Sequence, residues 1–200
     1  MTNELYSQRD EQIYILEYFK NKPTGKFIDI GAYDVFKFSN TRALYEKGWK
    51  GIFIEPAIEN YKVIADYYKG DKEIEVFNIA IGDHNGEIDF YDCGGDAIST
   101  SDESHRDKWA EAGVKYSKTK ATLISAKIFM NDYGKDCDFL SIDTESTNMV
   151  VFNAMPEWVW KQISMLCIEH DNHYEEIEDR LKPYGFLPLY QSAENIILAK

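Results

Sequence analysis

The sequence predicts an α/β fold in which a mostly parallel β-sheet carries helices on both faces. Two observations lead to this prediction. Short apolar runs alternate with longer stretches of helical periodicity along most of the chain, which is typical of strand–helix–strand units. The last two apolar runs are separated only by residues 191–194, which are too few for a crossover helix. These two runs must therefore pair antiparallel, so the sheet is expected to end in a hairpin.

The first half of the chain is predicted to supply three helices and three strands. Apolar and aromatic residues recur at helical spacing in the first helix, Ser39 or Asn40 can cap the second before Gly48 ends it, and Gly70 closes the third. The strands between them are continuous apolar runs, as expected for strands buried on both faces. The predicted helices are 8–20, 40–47 and 57–69, and the strands are 26–30, 51–54 and 73–81.

The second half is predicted to complete a seven-stranded sheet. Its strands are predicted at 138–142, 163–168, 185–190 and 195–199, and its helices at 148–161 and 174–182. A mostly parallel sheet that ends in an antiparallel hairpin is the Rossmann-like core of class I methyltransferases. Plain dinucleotide-binding Rossmann domains lack that hairpin, so the ending favours the methyltransferase architecture.

One domain is expected, because 200 residues are enough for one good core and few for two. It is predicted to span 1–200, with an N-terminal helix within 1–25. The segment 92–127 does not fit the alternation and contains two adjacent glycines and a cluster of Ser and Thr. We interpret it as a lid or substrate-facing insertion. The alternative is a mobile surface loop with a short helix around 104–112.

Charge and cysteine content exclude several classes of protein. Lys and Arg number 22 and Asp and Glu 35, which gives a net charge of −13. Such an acidic surface argues against general binding of nucleic acids or anionic membranes. Cys93, Cys137 and Cys167 form no CxxC pair, which fits a reducing compartment. With no basic-then-apolar leader and no apolar run long enough to span a bilayer, a cytoplasmic location is expected.

The turn after the first strand is the first candidate ligand site. In an open α/β sheet, ligands bind beyond the carboxyl ends of the strands, and Gly31 would let a cofactor approach the backbone closely. Tyr33 and Phe36 stand where a dinucleotide-binding fingerprint has its later glycines. The pyrophosphate cradle is therefore missing, which favours a ligand without phosphates such as S-adenosylmethionine. A merely tight connection is the alternative.

The second strand ends in Glu55-Pro56, 24 residues after Gly31. A carboxylate at this position can accept hydrogen bonds from both hydroxyls of an adenosine ribose. The alternative is a solvated Glu at a helix start, where the helix dipole also favours a negative charge.

These motifs together resemble the FkbM family of S-adenosylmethionine-dependent methyltransferases. The resemblance covers roughly 26–199, and its matching segments are Phe27–Asp34, Ser39-Asn40, Leu44–Pro56, Ala80–Asp83, Gly86–Phe90, Asp138–Glu145 and Ile168–His170. It implies an O-methyltransferase that acts on a hydroxyl, often of a sugar, glycan or natural product.

The resemblance also implies which residues contact the cofactor. Asp29, Gly31 and Asp34 would line its methionine end, Glu55 would bind the ribose and Asp83 would face the adenine amino group. Tyr33, Asn40 and Pro56 complete the predicted cofactor-binding set. For Asp83 the alternative is a plain turn residue before Asn85-Gly86, a strong hairpin signal. Two departures stand out, since the family usually has glycine where this chain has Val35 and Ser146.

The acceptor is expected to bind where the fourth and fifth strands end. Methyl transfer to a hydroxyl needs a base, and His170 is the leading candidate because its pKa lies near neutrality. Asp143 would orient the hydroxyl or assist, with Glu145 beside it. Alternatively, Asp143, Asp171 and Asn172 hold Mg²⁺, as in the metal-dependent O-methyltransferases of the catechol type. A third interpretation leaves these carboxylates solvated.

Two further functions stay open at this point. The first is a binding or regulatory module on the same fold that has lost catalysis, which Val35 and Ser146 favour. The second is a Rossmann oxidoreductase, which the missing glycines and the closing hairpin oppose. Basic residues of the insertion suggest an anionic acceptor; they are Arg106, Lys108, Lys115, Lys118 and Lys120. The sequence does not indicate an oligomeric state.

Overall fold

The computed structural model describes residues 4–200 and contains ten strands and eight α-helices within that range. The strands are β1 Lys26–Ile30, β2 Lys50–Ile54, β3 Ile74–Phe77, β4 Ala80–Gly82, β5 Gly86–Asp92, β6 Ser117–Ser125, β7 Phe139–Ile142, β8 Met165–Glu169, β9 Leu187–Gln191 and β10 Asn195–Ala199. The helices are α1 Glu11–Tyr18, α2 Arg42–Glu46, α3 Ile58–Tyr67, α4 Glu103–Glu111, α5 Ala126–Tyr133, α6 Asn148–Ala154, α7 Glu157–Gln162 and α8 Tyr174–Leu181. A 3₁₀ turn, Lys182–Tyr184, follows α8.

Seven strands form the main sheet in the order β3-β2-β1-β7-β8-β10-β9. All neighbours are parallel except β10, which runs antiparallel to both β8 and β9. The predicted class I methyltransferase sheet with its antiparallel ending is therefore confirmed. The strand order reverses between β1 and β7, and this is the point at which open α/β sheets bind ligands.

The sheet separates two hydrophobic cores because side chains alternate along each strand. On β1, Phe27 packs with Phe53 and Phe139 against one helical layer, while Ile28 packs with Ile54 on the other side. The strands β7 and β10 are buried along their whole length. Continuous apolar runs are thus explained, since both faces of these strands are covered.

Two predicted elements are broken in the structure. The strand predicted at 73–81 is divided into β3 and β4, which belong to different sheets. Between them, the Asn78 side-chain amide donates to the carbonyls of Glu55 and Pro56, at 2.9 and 3.0 Å. The helix predicted at 148–161 ends after α6, because the residue before Pro156 is forced into extended backbone and α7 has to begin anew.

The insertion is more regular than predicted. It contains α4, close to the short helix of the alternative interpretation, and all of β6. The strand β6 lies between β4 and β5 in a three-stranded sheet, so Asn85-Gly86 does not close the two-stranded hairpin that it signals. Asn85 Oδ1 instead accepts from the Ser125 N–H at 2.8 Å, which ties the turn to β6. Helix α5 was not predicted at all.

Within the described part of the chain, no helix combines the length and the apolar character that crossing a bilayer requires.

Candidate functional site

A cavity of about 630 Å³ opens at the carboxyl ends of β1, β2, β7 and β8, beside the point where the strand order reverses. Volumes of this order are typical of small-molecule sites. Its wall contains most of the predicted site residues: Asp29, Gly31, Tyr33, Asn40, Glu55, Pro56, Asp83, Asp143 and Glu145. Asp34, His170, Asp171 and Asn172 do not line it.

Gly31 is required by the neighbouring loop. Its φ is +85°, and a Cβ there would lie 1.6 Å from the carbonyl oxygen of Asp143. The close approach that we expected for a ligand is therefore made by the backbone after β7. Two loops that carry site residues are held against each other, and only glycine fits between them.

Glu55 lies in the cavity wall and is 5% exposed. Its Oε2 accepts from the Tyr33 N–H at 2.8 Å and its Oε1 from the Ala57 N–H at 2.7 Å. Burial raises the pKa of Glu55 to about 7, although both hydrogen bonds lower it. Each oxygen keeps a second lone pair, so the carboxylate can accept further hydrogen bonds from a ligand.

Asp29 and Asn40 lie together at the end of β1. Asp29 Oδ2 accepts from the Thr41 hydroxyl at 2.6 Å, and burial raises the pKa of Asp29 to about 6. Asn40 is 8% exposed, and its Nδ2 lies 3.5 Å from Ser141 Oγ. Its Oδ1 is buried and finds no hydrogen-bond donor within residues 4–200. Such an acceptor is costly unless a ligand supplies the donor.

Asp34 and Asp83 have local roles. Asp34 Oδ1 accepts from the backbone N–H groups of Phe36 and Lys37, both at 2.8 Å, and thereby shapes the loop outside the cavity. Asp83 lies in the wall but is exposed, and its Oδ1 is 2.6 Å from His84 Nδ1. The His84 hydrogen bond lowers the pKa of Asp83.

Three partly buried carboxyl groups line the cavity at the ends of β7 and β8. Asp143 and Glu145 follow β7, and Glu169 ends β8. Burial, with repulsion from the neighbouring carboxylates, raises the pKa of Asp143 to about 7, of Glu145 to about 8 and of Glu169 to about 9. The interaction between the side chains of Asp143 and Glu169 lowers the pKa of Asp143 and further raises the pKa of Glu169.

A family model described as the methyltransferase FkbM domain matches residues 29–188, most of the chain. The chain belongs to the FkbM methyltransferase family. The resemblance noted from the sequence motifs is thereby confirmed, and with it a methyltransferase fold and family.

Solved structures agree on the fold. An FkbM methyltransferase from Methylobacillus flagellatus is 12% identical, with a TM-score of 0.58 over 94% of this chain and 48% of that one. A putative caffeoyl-CoA O-methyltransferase from Staphylococcus aureus is 6% identical, with a TM-score of 0.50 over 98% of this chain and 85% of that one. The chain thus spans about half the length of the Methylobacillus protein. No curated protein sequence matches it.

The two departures from the FkbM pattern have separate structural explanations. Val35 is 2% exposed and packs in the core with Ala32, so it does not enter the cavity. Ser146 has a φ of +76° and follows Glu145 at +51°, so two non-glycine residues occupy left-handed backbone. Glycine is favoured in that conformation, which explains why it is usual at the position of Ser146.

Asn148 organises the carboxyl groups, and sequence reasoning missed it. Its buried Nδ2 donates to Glu169 Oε2 at 2.6 Å and to Asp171 Oδ2 at 2.9 Å. Its Oδ1 accepts from the Thr144 N–H at 2.6 Å. A polar residue in the first turn of a helix was the available signal, because such residues commonly bond the preceding loop.

The predicted Mg²⁺ site is not supported. Among the residues that the structure describes, no group of three or more His, Cys, Asp or Glu side chains is arranged to hold a metal ion. Asp171 bonds to Asn148, and Asn172 is exposed with its backbone at a φ of +66°.

His170 is not brought to the cavity. It is 3% exposed, its Nδ1 accepts from the Asn172 N–H at 3.0 Å, and its Nε2 lies 3.4 Å from the Ser192 carbonyl. Both ring nitrogens therefore have partners in the loops after β8 and β9. The geometry gives this histidine a part in shaping those loops.

The insertion contributes residues that the sequence did not single out. His105 Nδ1 lies 2.6 Å from Ser146 Oγ, and its Nε2 lies 3.4 Å from Glu145 Oε2 without hydrogen-bond alignment. Burial lowers the pKa of His105, and Lys108 lowers it further. One turn later on α4, Trp109 lines the cavity. The signal for α4 was Asp102, whose Oδ1 accepts from the His105 N–H at 2.8 Å.

The basic residues of the insertion face elsewhere. Lys118 and Lys120 each approach Asp89 to 2.7 Å, and Arg106 pairs with Asp107 at 2.6 Å. None of the five basic residues lines the cavity. The expectation of an anionic acceptor rested on these residues, so it gains no support.

Proposed function

We propose that the protein transfers a methyl group from S-adenosylmethionine to a hydroxyl oxygen of a small-molecule or glycan acceptor. The observation that carries the proposal is the division of one cavity into two halves. Glu55 and Asn40 offer acceptors on one side, and three partly buried carboxyl groups lie at the ends of β7 and β8 on the other. Family membership supports the methyltransferase part. The hydroxyl acceptor is inferred from the carboxyl groups that could remove its proton.

The wall fits the methyl donor. Asn40 Oδ1 has no hydrogen-bond donor among residues 4–200, and the ammonium group of a methionine moiety would supply one. Glu55 has lone pairs free for ribose hydroxyls, and apolar side chains such as Ile79 and Ile81 line the wall near Asp83. When bound, S-adenosylmethionine supplies an electrophilic methyl group on its sulfonium.

The base that we propose is Glu145. It lies in the cavity wall, and a base whose pKa is near the working pH combines availability with proton affinity. Asp143 orients the acceptor hydroxyl, and the raised pKa of Glu169 limits the negative charge of this pair. His170 and Asp34 are left out of the proposed machinery because neither reaches the cavity.

A binding module that has lost catalysis gains no support from the two departures. Val35 is buried away from the cavity, and Ser146 bonds to His105 in the loop after Glu145. The cavity therefore keeps both of the halves that transfer needs.

Transfer of label from methyl-labelled S-adenosylmethionine to a panel of hydroxylated compounds tests the function. We expect an O-methyl ether product, and we expect Glu145→Gln to lower kcat about 10²–10⁴-fold, the usual contribution of a general base. The matched control is Glu59→Gln, an exposed carboxylate on α3 that does not line the cavity. Unchanged turnover in Glu145→Gln would eliminate the proposed base, and products methylated only on nitrogen would eliminate the hydroxyl acceptor.

A further inference from the structure

The cavity wall contains many more acidic residues than basic ones. Eight acidic residues line it: Asp29, Glu55, Asp83, Asp96, Asp143, Glu145, Glu169 and Glu194. Within residues 4–200, no Lys or Arg lines it. His84 is the only basic residue of the wall in that range, and it is exposed beside Asp83. A binding site usually complements the charge of its ligand, so this wall favours a cation.

The acidic residues lie largely outside the half assigned to the cofactor. Asp29 lies in β1, and Glu55 and Asp83 follow β2 and β4, whereas the other five acidic residues lie on the insertion or at the ends of β7, β8 and β9. Two basic side chains approach this set from outside the wall: His105 Nε2 lies 3.4 Å from Glu145 Oε2, and Arg9 Nη2 lies 3.4 Å from Glu194 Oε1. Burial lowers the pKa of His105, which favours its neutral form. The side-chain donor that approaches Glu169 is Asn148 Nδ2, which is uncharged.

Three buried atoms of the wall lack hydrogen-bond partners within residues 4–200: Glu194 Oε2, Asn40 Oδ1 and Trp109 Nε1. The other oxygen of Glu194, Oε1, lies 3.4 Å from Arg9 Nη2, and the Asn40 side chain is more than nine-tenths buried. The two oxygen atoms are acceptors, so both require hydrogen-bond donors from a ligand, whereas the indole N–H requires an acceptor. The cofactor ammonium accounts for Asn40, and Glu194 is left for the acceptor.

Trp109 adds an aromatic surface to the cavity, and its ring centroid lies 6.3 Å from that of His105, which approaches Glu145. An indole face near carboxylates is a favourable environment for an ammonium group. Lys108, also on α4, has its Nζ 5.9 Å from the ring centroid of Trp109, but it does not line the cavity.

We propose that the acceptor is a hydroxylated amine whose ammonium group binds between Glu145 and Glu169, beside Trp109. The inference rests on the proposed function and specifies the substrate class of that site. A metal ion is a poorer occupant, because no group of three or more carboxylate, thiol or imidazole ligands in residues 4–200 has the required arrangement. An anionic acceptor would meet eight acidic side chains and, within residues 4–200, no Lys or Arg in the wall.

The proposal predicts a proton linkage. Burial and repulsion from neighbouring carboxylates raise the pKa values of Glu145 and Glu169 to about 8 and about 9. A bound ammonium favours the charged carboxylates, so binding at pH 7 should release protons.

Calorimetric titration of the protein saturated with S-adenosylhomocysteine tests the inference. The probes are glucosamine, galactosamine, tyramine and kanamycin A, each paired with its N-acetylated derivative, together with glucose 6-phosphate. We expect at least one amine to bind about tenfold or more tightly than its acetylated partner, with proton release seen as a dependence of the heat on the buffer. No preference for any amine, or tighter binding of glucose 6-phosphate, would overturn the proposal.

Substitutions of single carboxylates test where the ammonium group of the amine binds. Glu145→Gln and Glu169→Gln should each weaken the binding of the preferred amine about tenfold or more, while Glu87→Gln, an exposed carboxylate outside the wall, should not. If the amine binds equally to all variants, its site is elsewhere and the proposal fails. If amine binding is lost after chelation with EDTA, a metal occupies the site instead. Failure to bind S-adenosylhomocysteine at all would refute the proposed function itself, which is measured first.

Discussion

Replacement of Gly31 by Ala tests whether the loops after β1 and β7 are held together as the structure indicates. An alanine Cβ would lie 1.6 Å from the Asp143 carbonyl oxygen, and because that atom is backbone, no side-chain rotation relieves the clash. Left-handed backbone costs about 1–2 kcal/mol for a residue with a Cβ. Overpacking adds about 1–3 kcal/mol. We therefore expect Gly31→Ala to lower the free energy of unfolding by about 2–5 kcal/mol.

Gly48→Ala is the matched control, because it separates the two contributions. Gly48 has almost the same φ, +86°, but nothing lies within 4 Å of its Cβ position. Only the backbone term applies there, so the expected loss is about 1–2 kcal/mol. Urea unfolding of both variants measures the difference. Equal losses would refute the contact between Gly31 and Asp143.

Three further predictions concern the carboxyl cluster and the insertion. The pKa of Glu169 is raised from 4.5 to about 9, so its contribution to stability is fully present below about pH 4.5 and is lost as the pH rises toward 9. The unfolding midpoint of the ligand-free protein should fall across this range, and it should fall less in Glu169→Gln. Asn148→Ala removes the hydrogen-bond donor of Glu169 and Asp171, so it should lower the free energy of unfolding in urea by about 1–3 kcal/mol. The exposed control Asn172→Ala should lower it less. His105→Ala removes the contact between the insertion and Ser146, so limited proteolysis within 92–127 should become faster. The control Lys108→Ala should leave the rate of proteolysis unchanged.

Most of the fold followed from local patterns. Continuous apolar runs located the central strands because those strands are buried on both faces, and the short connection before β10 required antiparallel pairing. The end of the helix before Pro156 could also have been predicted, since proline restricts the backbone of the preceding residue. The division between β3 and β4 could not have been predicted, because it depends on hydrogen bonds from Asn78 to carbonyls about twenty residues earlier in the chain.

The candidate site was predictable where residues follow strands directly. Parallel strands end at one edge of the sheet, so Gly31, Glu55 and Asp143 were placed together correctly in the cavity wall. The same argument selected His170, but its ring turns to the loops after β8 and β9. The position of a residue at the end of a strand determines where it lies along the sheet, but it does not determine the direction of its side chain. His105 lies on an insertion whose docking depends on tertiary contacts, so strand-end reasoning could not find it.

The most direct test of the account is calorimetric titration of the protein with S-adenosylhomocysteine, in parallel with Glu55→Ala and with Glu59→Ala as control. Glu55 lies in the cavity wall at 5% exposure, whereas Glu59 lies outside the wall. We expect the wild type and Glu59→Ala to bind alike, and Glu55→Ala to bind more weakly by about 1–3 kcal/mol, the cost of leaving buried polar groups unpaired. Absence of binding to the wild type, or equal affinity in all three proteins, would contradict a cofactor site in this cavity.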